Sequence, residues 1–175
     1  MDGKDGIGEE LAALDEHELV RRAAGGDGEA FGVIYERYVQ KIFNYVYYRT
    51  GNVMEAEDLT SHVFYRALGR IEAYDDRGLP ISAWLYRIAH NLVANWHRDS
   101  SRYTEVELDE NLVHHGEGER PDMAVEATEE TEKLMRVIRR LPDDRQQVLI
   151  LKFVEGLSNA EVGVIMGKSE GAVKS

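Results

Sequence analysis

Residues Leu157 to Ser175, LSNAEVGVIMGKSEGAVKS, limit the possible folds of this chain more than any other stretch. Ser158 stands where a helix needs its N-cap, and Glu161, three residues on, completes a capping box. Val162, Ile165 and Met166 give that helix an apolar face, and Gly167 suits the left-handed residue that ends it. Ser169 can cap a second helix, with Ala172 and Val173 turned to the core and Lys174 and Ser175 beginning an outward surface. Helix, tight turn and helix make a helix-turn-helix, whose second helix commonly enters the DNA major groove. Taken alone, the pattern fits an ordinary helical hairpin in a small bundle equally well.

The rest of the chain also repeats with helical spacing. Asp15 and Glu18 bracket a helix start, with Leu14, Leu19 and Val20 as apolar positions and the Gly25-Gly26 pair as its end. Phe31, Ile34, Tyr35, Tyr38, Ile42, Tyr45 and Val46 recur at three and four residues up to a stop at Gly51. Ala56, Leu59, Val63, Phe64, Ala67, Leu68 and Ile71 mark another helix, and Pro80 precedes one running from about Ile81 to Arg98. Further on, Leu134, Val137, Ile138 and Leu141 form one helix; Pro142 opens the next, which carries Val148, Leu149, Leu151 and Phe153 and closes at Gly156. No segment alternates with period two. The expected fold is all-α: an N-terminal four-helix bundle (residues 1–101), an acidic flexible linker (102–122) and a small C-terminal helix-turn-helix domain (123–175).

Charge bears on whether this motif meets DNA. The net charge is −12, but it is unevenly spread. Residues 103–132 hold Arg120 against eleven Asp and Glu, whereas residues 133–175 hold eight Lys and Arg against five acids. Most of the net negative charge lies in residues 103–132, and the helix-turn-helix end is mildly basic. With few cations to displace counterions, such a chain binds duplex DNA weakly alone and needs a larger assembly to supply affinity. There is no cysteine, so disulfides and thiolate metal sites are excluded. His114 and His115 fall in the HHGEGERPD stretch, read as solvated linker rather than a metal site. The start MDGKDG is acidic and glycine-rich, and no apolar run approaches spanning length. The expectation is a cytoplasmic protein with no membrane insertion, metal or cofactor.

The segment ISAWLYRIAHNLVANWHR carries a second chemical signal. Trp84, Ile88, Leu92 and Trp96 recur every four residues beside Leu85, Ala89 and Val93, which reads as core. Arg87, His90, Asn91, Ala94, His97 and Arg98 lie opposite, with Asn95 on the flank. Guanidinium groups meet phosphates, amides read base edges, and the nearby rings of Tyr74, Tyr86 and Tyr103 can stack on exposed bases.

MEAEDLTSHVFYRAL, ISAWLYRIAHNLVANWHR, an acidic linker and LPDDRQQVLILKFVEGLSNAEVGVIMGKSEGAVKS together resemble an extracytoplasmic-function sigma factor of bacterial RNA polymerase, from about Leu14 to Ser175. The resemblance implies a promoter-recognition subunit that docks on core RNA polymerase. Its N-terminal domain recognises and helps melt the minus-ten element of promoter DNA, its C-terminal domain reads the minus-thirty-five element, and an anti-sigma factor holds it in check. Position by position, Glu55, Glu57, Asp58, Thr60 and His62 match the polymerase-binding helix. Tyr74 and the loop Asp75 to Ser82, with Asp76 and Arg77, match the segment that captures a flipped minus-ten base. Asn91 and Asn95 match amides beside that pocket, while Arg87, His97 and Arg98 match backbone contacts. Ser169, Glu170, Gly171, Lys174 and Ser175 match the start of the minus-thirty-five helix. The acidic linker matches a segment that threads channels meant for nucleic acid.

The family pattern usually continues past Ser175 with basic residues, so the expectation is a shortened reading helix and poor minus-thirty-five recognition. No catalytic grouping or glycine-rich phosphate loop argues for an enzyme. A stand-alone helix-turn-helix regulator predicts tight duplex binding without polymerase, which the sparse positive charge disfavours. A helical interaction module, docking through the Tyr-rich helix from Phe31 to Tyr48, predicts no dependence on DNA.

Overall fold

Local capping signals set most helix boundaries. The computed structural model describes residues 3–75, 79–107 and 129–174. Among these, the helices are α1 (Gly3–Ala12), α2 (Glu16–Ala24), α3 (Gly28–Thr50), α4 (Val53–Leu68), α5 (Ile81–Glu107), α6 (Glu129–Ile138), α7 (Asp143–Leu149), α8 (Asn159–Met166) and α9 (Glu170–Lys174). No strand occurs among the described residues. Asp15 caps α2 by accepting from the Glu18 N–H, and Asn52 caps α4 by accepting from Glu55. Gly51 ends α3 with φ +67°, a conformation open to glycine at little cost.

Helix α3 is the centre of the N-terminal bundle, packed by α1, α2, α4 and α5. Ile42, Phe43, Tyr45 and Val46 are fully buried along it. The sequence pattern does not foresee α1, whose glycines and acids hide the buried Leu11. Arg37 fastens the end of that helix by donating to the carbonyls of Ala12 (2.7 Å) and Leu14 (3.1 Å). Helix α5 also runs past the expected end at Arg98 to Glu107. The first residues assigned to the linker therefore continue a helix, and residues 108–122, with His114 and His115, lie outside the described residues.

The C-terminal domain differs from expectation in which apolar side chains it hides. Leu134 (53% exposed), Val137 (60%) and Phe153 (72%) face outward, while Met135 and Ile138 fill the interior. After α7 the backbone ladder widens, and the Glu155 N–H reaches the Ile150 carbonyl five residues back at 3.0 Å. The helix-turn-helix forms with the caps read from sequence. Ser158 accepts from the Glu161 N–H (3.2 Å), and the Glu161 carboxylate accepts from the Ser158 N–H (2.7 Å). Gly167 is left-handed, and Val162, Ile165 and Val173 are buried, whereas Ala172 is exposed.

One interior position makes the turn possible. The Lys168 N–H donates to the Gly163 carbonyl at 2.8 Å, drawing the chain back over α8. A Cβ on Gly163 would stand 2.7 Å from the Lys168 carbonyl oxygen, a backbone atom that cannot swing aside as a side chain would. Gly163→Ala is expected to destabilise the protein by about 1–3 kcal/mol, the range for overpacking a filled site. Urea unfolding checks this: an unchanged midpoint would mean that the turn opens without cost.

Candidate nucleic-acid interface

Helix α5 sorts its side chains into three faces rather than two. Leu85, Ala89, Leu92 and Val93 are buried in the bundle. Trp84, Ile88 and Trp96 are half-buried and pack against that core at its edge, so the expected apolar stripe is core along Leu85, Ala89, Leu92 and Val93 and rim along the other three. Trp84 packs at 5.0 Å against the Tyr74 ring, and the Trp96 indole N–H donates to Glu55 at 2.9 Å. Arg87, Asn91, Asn95 and Arg98 form an exposed row at spacings of four, four and three, with Arg98 donating to the Asn95 side-chain carbonyl. This row offers cations and amides to one ligand track.

His97 does not join that row. Together with Tyr86 and His90 it faces a seam between the two domains, where α8 lies along α5. At the seam, Arg49 is almost completely buried near the end of α3, its side chain 1% exposed. Its guanidinium donates to Asp143 (3.0 and 3.2 Å) and to the side-chain carbonyl of Gln146 (2.8 Å) at the start of α7. Tyr86 donates to Glu155 at 2.5 Å, and its ring meets Tyr45 edge-on. The buried core runs continuously across both domains.

The remaining expected site residues separate by burial. On α4, Asp58 and His62 are exposed and Glu57 is half-buried, but Thr60 is buried (3% exposed) and turned away from any docking partner. Glu55 is taken up by Trp96. Sequence reading missed that Met54 (79%), Tyr65 (78%) and Leu68 (53%) share the exposed face of α4 with Asp58 and His62. The spacing of 54, 58, 62, 65 and 68 is a helical signal, but apolar members invite assignment to the core. In the loop before α5, the Tyr74 hydroxyl donates to the Leu79 carbonyl at 3.1 Å. Ser82 is buried, so it can act on DNA only through its neighbours. Asp76 and Arg77 lie outside the described residues, as does Ser175. Ser169, Glu170, Gly171 and Lys174 are all exposed, with Glu170 paired to Lys174 at 2.9 Å. Among the described residues, no group of three or more His, Cys, Asp or Glu could hold a metal, and no helix is long and apolar enough to cross a membrane.

Known proteins share this arrangement. Residues 34–103 match the family model Sigma-70 region 2, and residues 131–175 match Sigma-70, region 4. The ECF RNA polymerase sigma factor SigW of Bacillus subtilis is 34% identical over 89% of this chain and 87% of its own length. The chain belongs to the ECF RNA polymerase sigma factors. BldN of Streptomyces coelicolor, another ECF sigma factor, is 40% identical over 90% of this chain, which spans 60% of that relative's length. SigD of Mycobacterium tuberculosis is 32% identical over 89% of this chain and 76% of its own. The fold is that of CnrH, solved with the cytosolic domain of CnrY (TM-score 0.68, 20% identity, covering 91% of this chain and 87% of that one). It is also that of RpoE from Bartonella quintana, solved with the anti-sigma factor NepR (TM-score 0.64, 18% identity, covering 82% and 87%).

The chemistry of the seam gives this sigma factor a pH dependence. Burial disfavours the charged imidazolium, and the nearby Arg49 cation adds to that, so His90 and His97 are held below the ordinary histidine range. Asp143 works against this at both rings; at His90, Asp144 also opposes it and Arg87 reinforces it. Burial opposes ionisation of Asp143 itself, but the bond and charge of Arg49 outweigh it and hold that carboxyl low. Burial raises Glu155 despite the Tyr86 hydrogen bond. A histidine held low binds fewer protons in the folded chain than in the unfolded one. Its contribution to stability is therefore full above about pH 6.5 and is lost as pH falls. Asp143 has the same sign at lower pH, whereas the single raised Glu155 opposes it. Lowering pH from 7.5 to 5.5 should reduce the urea unfolding midpoint more for the parent than for a His90→Gln/His97→Gln variant. Equal responses would remove the histidines from the pH dependence of the fold.

Proposed function

We propose that this chain directs bacterial core RNA polymerase to promoters, using α4 to dock, α5 and the preceding loop to hold melted minus-ten DNA, and α9 to read the minus-thirty-five element. The observation that carries this reading is the exposed Arg87/Asn91/Asn95/Arg98 row near the partly buried Trp84 and Tyr74 rings. Cations alone would suit any phosphate track. Amides and stacking rings alongside them suit unpaired bases, whose release from the duplex costs a few kcal/mol that only matching contacts repay. The exposed row of Met54, Asp58, His62, Tyr65 and Leu68 suits a protein partner, mixing apolar and polar contacts as interfaces do. Residues 1–107 and 123–175 serve as the two promoter-contacting domains, and the residues between them as the tether.

The docked arrangement belongs to the polymerase-free chain. Elements named for positions minus ten and minus thirty-five lie about 25 base pairs apart, about 85 Å at 3.4 Å per pair. A compact chain of this length has a radius of gyration of about 16 Å. With α8 lying on α5, the two reading surfaces cannot reach both elements at once. Binding to core polymerase therefore separates the domains at the Arg49 seam. An anti-sigma factor fits the same reading, and the outward Leu134, Val137 and Phe153 offer it an apolar surface. The chain acts in the cytoplasm, where polymerase and promoter meet, and does no bond-making chemistry itself.

Transcription in vitro with core polymerase tests this. Asn91→Ala and Arg87→Ala should each lower open-complex formation by roughly tenfold, the scale of one lost base or phosphate contact set, with core binding unchanged. Sub-micromolar binding of the free chain to a specific duplex at physiological salt would instead indicate a stand-alone regulator.

A further inference from the structure

Adjacent acids at the start of α2 serve two different helices. Asp15 caps α2 itself. Glu16 turns the other way: its Oε1 accepts from the Ile81 N–H at 2.8 Å, the first N–H of α5 and 65 residues distant. Its Oε2 accepts from the Tyr38 hydroxyl of α3 at 2.5 Å. The chain enters α5 through Leu79-Pro80, and Pro80 has no side-chain acceptor with which to cap that helix. A carboxylate from a neighbouring helix therefore supplies what the local sequence lacks. It is held at the positive end of a 27-residue helix by a charge-assisted bond. Burial and the bond to Glu16 keep the Tyr38 phenol above its ordinary range, so it remains a donor.

This anchor lies where the loop runs into α5. The loop's described ends are tied at three points: Tyr74 to the Leu79 carbonyl, the Tyr74 ring to Trp84, and Ile81 to Glu16. The last tie joins the start of α5 to α2 and, through Tyr38, to α3, adding a polar anchor to the burial of Ile71 and Ile81 at the loop's two ends. Between α2 and the loop is an open cleft of about 590 Å³, walled by Glu16, His17, Val20, Tyr74, Leu79 and Pro80.

We infer that Glu16, held by Tyr38, is a positioning residue for minus-ten base selection: it fixes the entry of α5 and hence the geometry of the base-capturing loop. The inference rests on the reading of that loop as the minus-ten reader. Glu16 itself touches no DNA. A pocket that discriminates bases must hold its walls to about half an ångström, and the Glu16 tie adds a directional bond from α2 and α3 to the packing at the loop's ends.

The test is transcription with core polymerase on two libraries, one randomised at the minus-ten element and one at the minus-thirty-five element, using saturating sigma factor. Glu16→Ala should reduce the preference for the best minus-ten base over the others at least fivefold, leaving minus-thirty-five preference and core affinity unchanged. Glu16→Gln keeps an acceptor for the Ile81 N–H and should stay within twofold of the parent. Tyr38→Phe, which removes one tether, should fall between. Leu19→Ala, a buried change on the same helix, supplies a destabilised control that should keep the parent's preference. If Tyr74→Ala shifts minus-ten preference and Glu16→Ala does not, the positioning role is overturned and the loop reading stands. If neither shifts it, the loop is not the reader and both fail. If Leu19→Ala lowers the preference as much as Glu16→Ala, the effect is stability alone and the role is again overturned.

Discussion

A guanidinium cannot be buried without partners, and that constraint at Arg49 organises the relation between the two domains. Its cost is met by Asp143 and Gln146, both from the C-terminal domain and 94 and 97 residues away. Asp143 remains well hydrated, its side chain 62% exposed. The pair thus joins a dry cation to a wet anion. Such a contact is specific in geometry but only moderately strong, because solvent screens the anion. Tyr86 with Glu155 repeats the pattern, a buried ring donating to a half-buried carboxylate. These polar pairs border an apolar core that continues across both domains, so opening the seam takes a partner that covers the apolar surface as well.

Helix α5 belongs to both sides of that choice. Its buried face builds the bundle, its seam face carries Tyr86, His90 and His97, and its outer face carries Arg87, Asn91, Asn95 and Arg98. The outer row stays open while the domains are docked, so docking does not hide the whole candidate DNA surface. It removes His97 from that surface and fixes the helix-turn-helix too close for a second distant contact. Opening the seam therefore adds reach and one more polar side chain together.

Local rules made much of this legible. Asp15, Ser158, Glu161 and Gly167 act within four residues of their partners, and each stands in the role its spacing indicates. The all-helical class and the helix-turn-helix follow from the same short-range grammar. Glu16 and Arg49 were not legible, since their partners lie 22 to 97 residues away and no periodicity encodes such a meeting. Burial was misjudged where a helix has more than one covered face. Trp84 and Trp96 have core-like spacing but sit at the rim, and Thr60 sits on a docking helix but points inward. Leu134 and Val137 look like core residues yet are exposed, because apolar character does not say whether the partner is the same chain or another.

The central claim is that one docked state and one separated state serve two stages of the same task. The chain has no cysteine, so a Glu36→Cys/Ala160→Cys variant, changed at exposed positions on α3 and α8, can carry one spin label per domain. Pulsed electron–electron distance measurement on the free protein should give a single short distribution. In an open complex with core polymerase on a promoter bearing both elements, it should lengthen toward the roughly 85 Å spacing set by about 25 base pairs. An open complex in which both elements are protected and the short distribution persists would contradict the account.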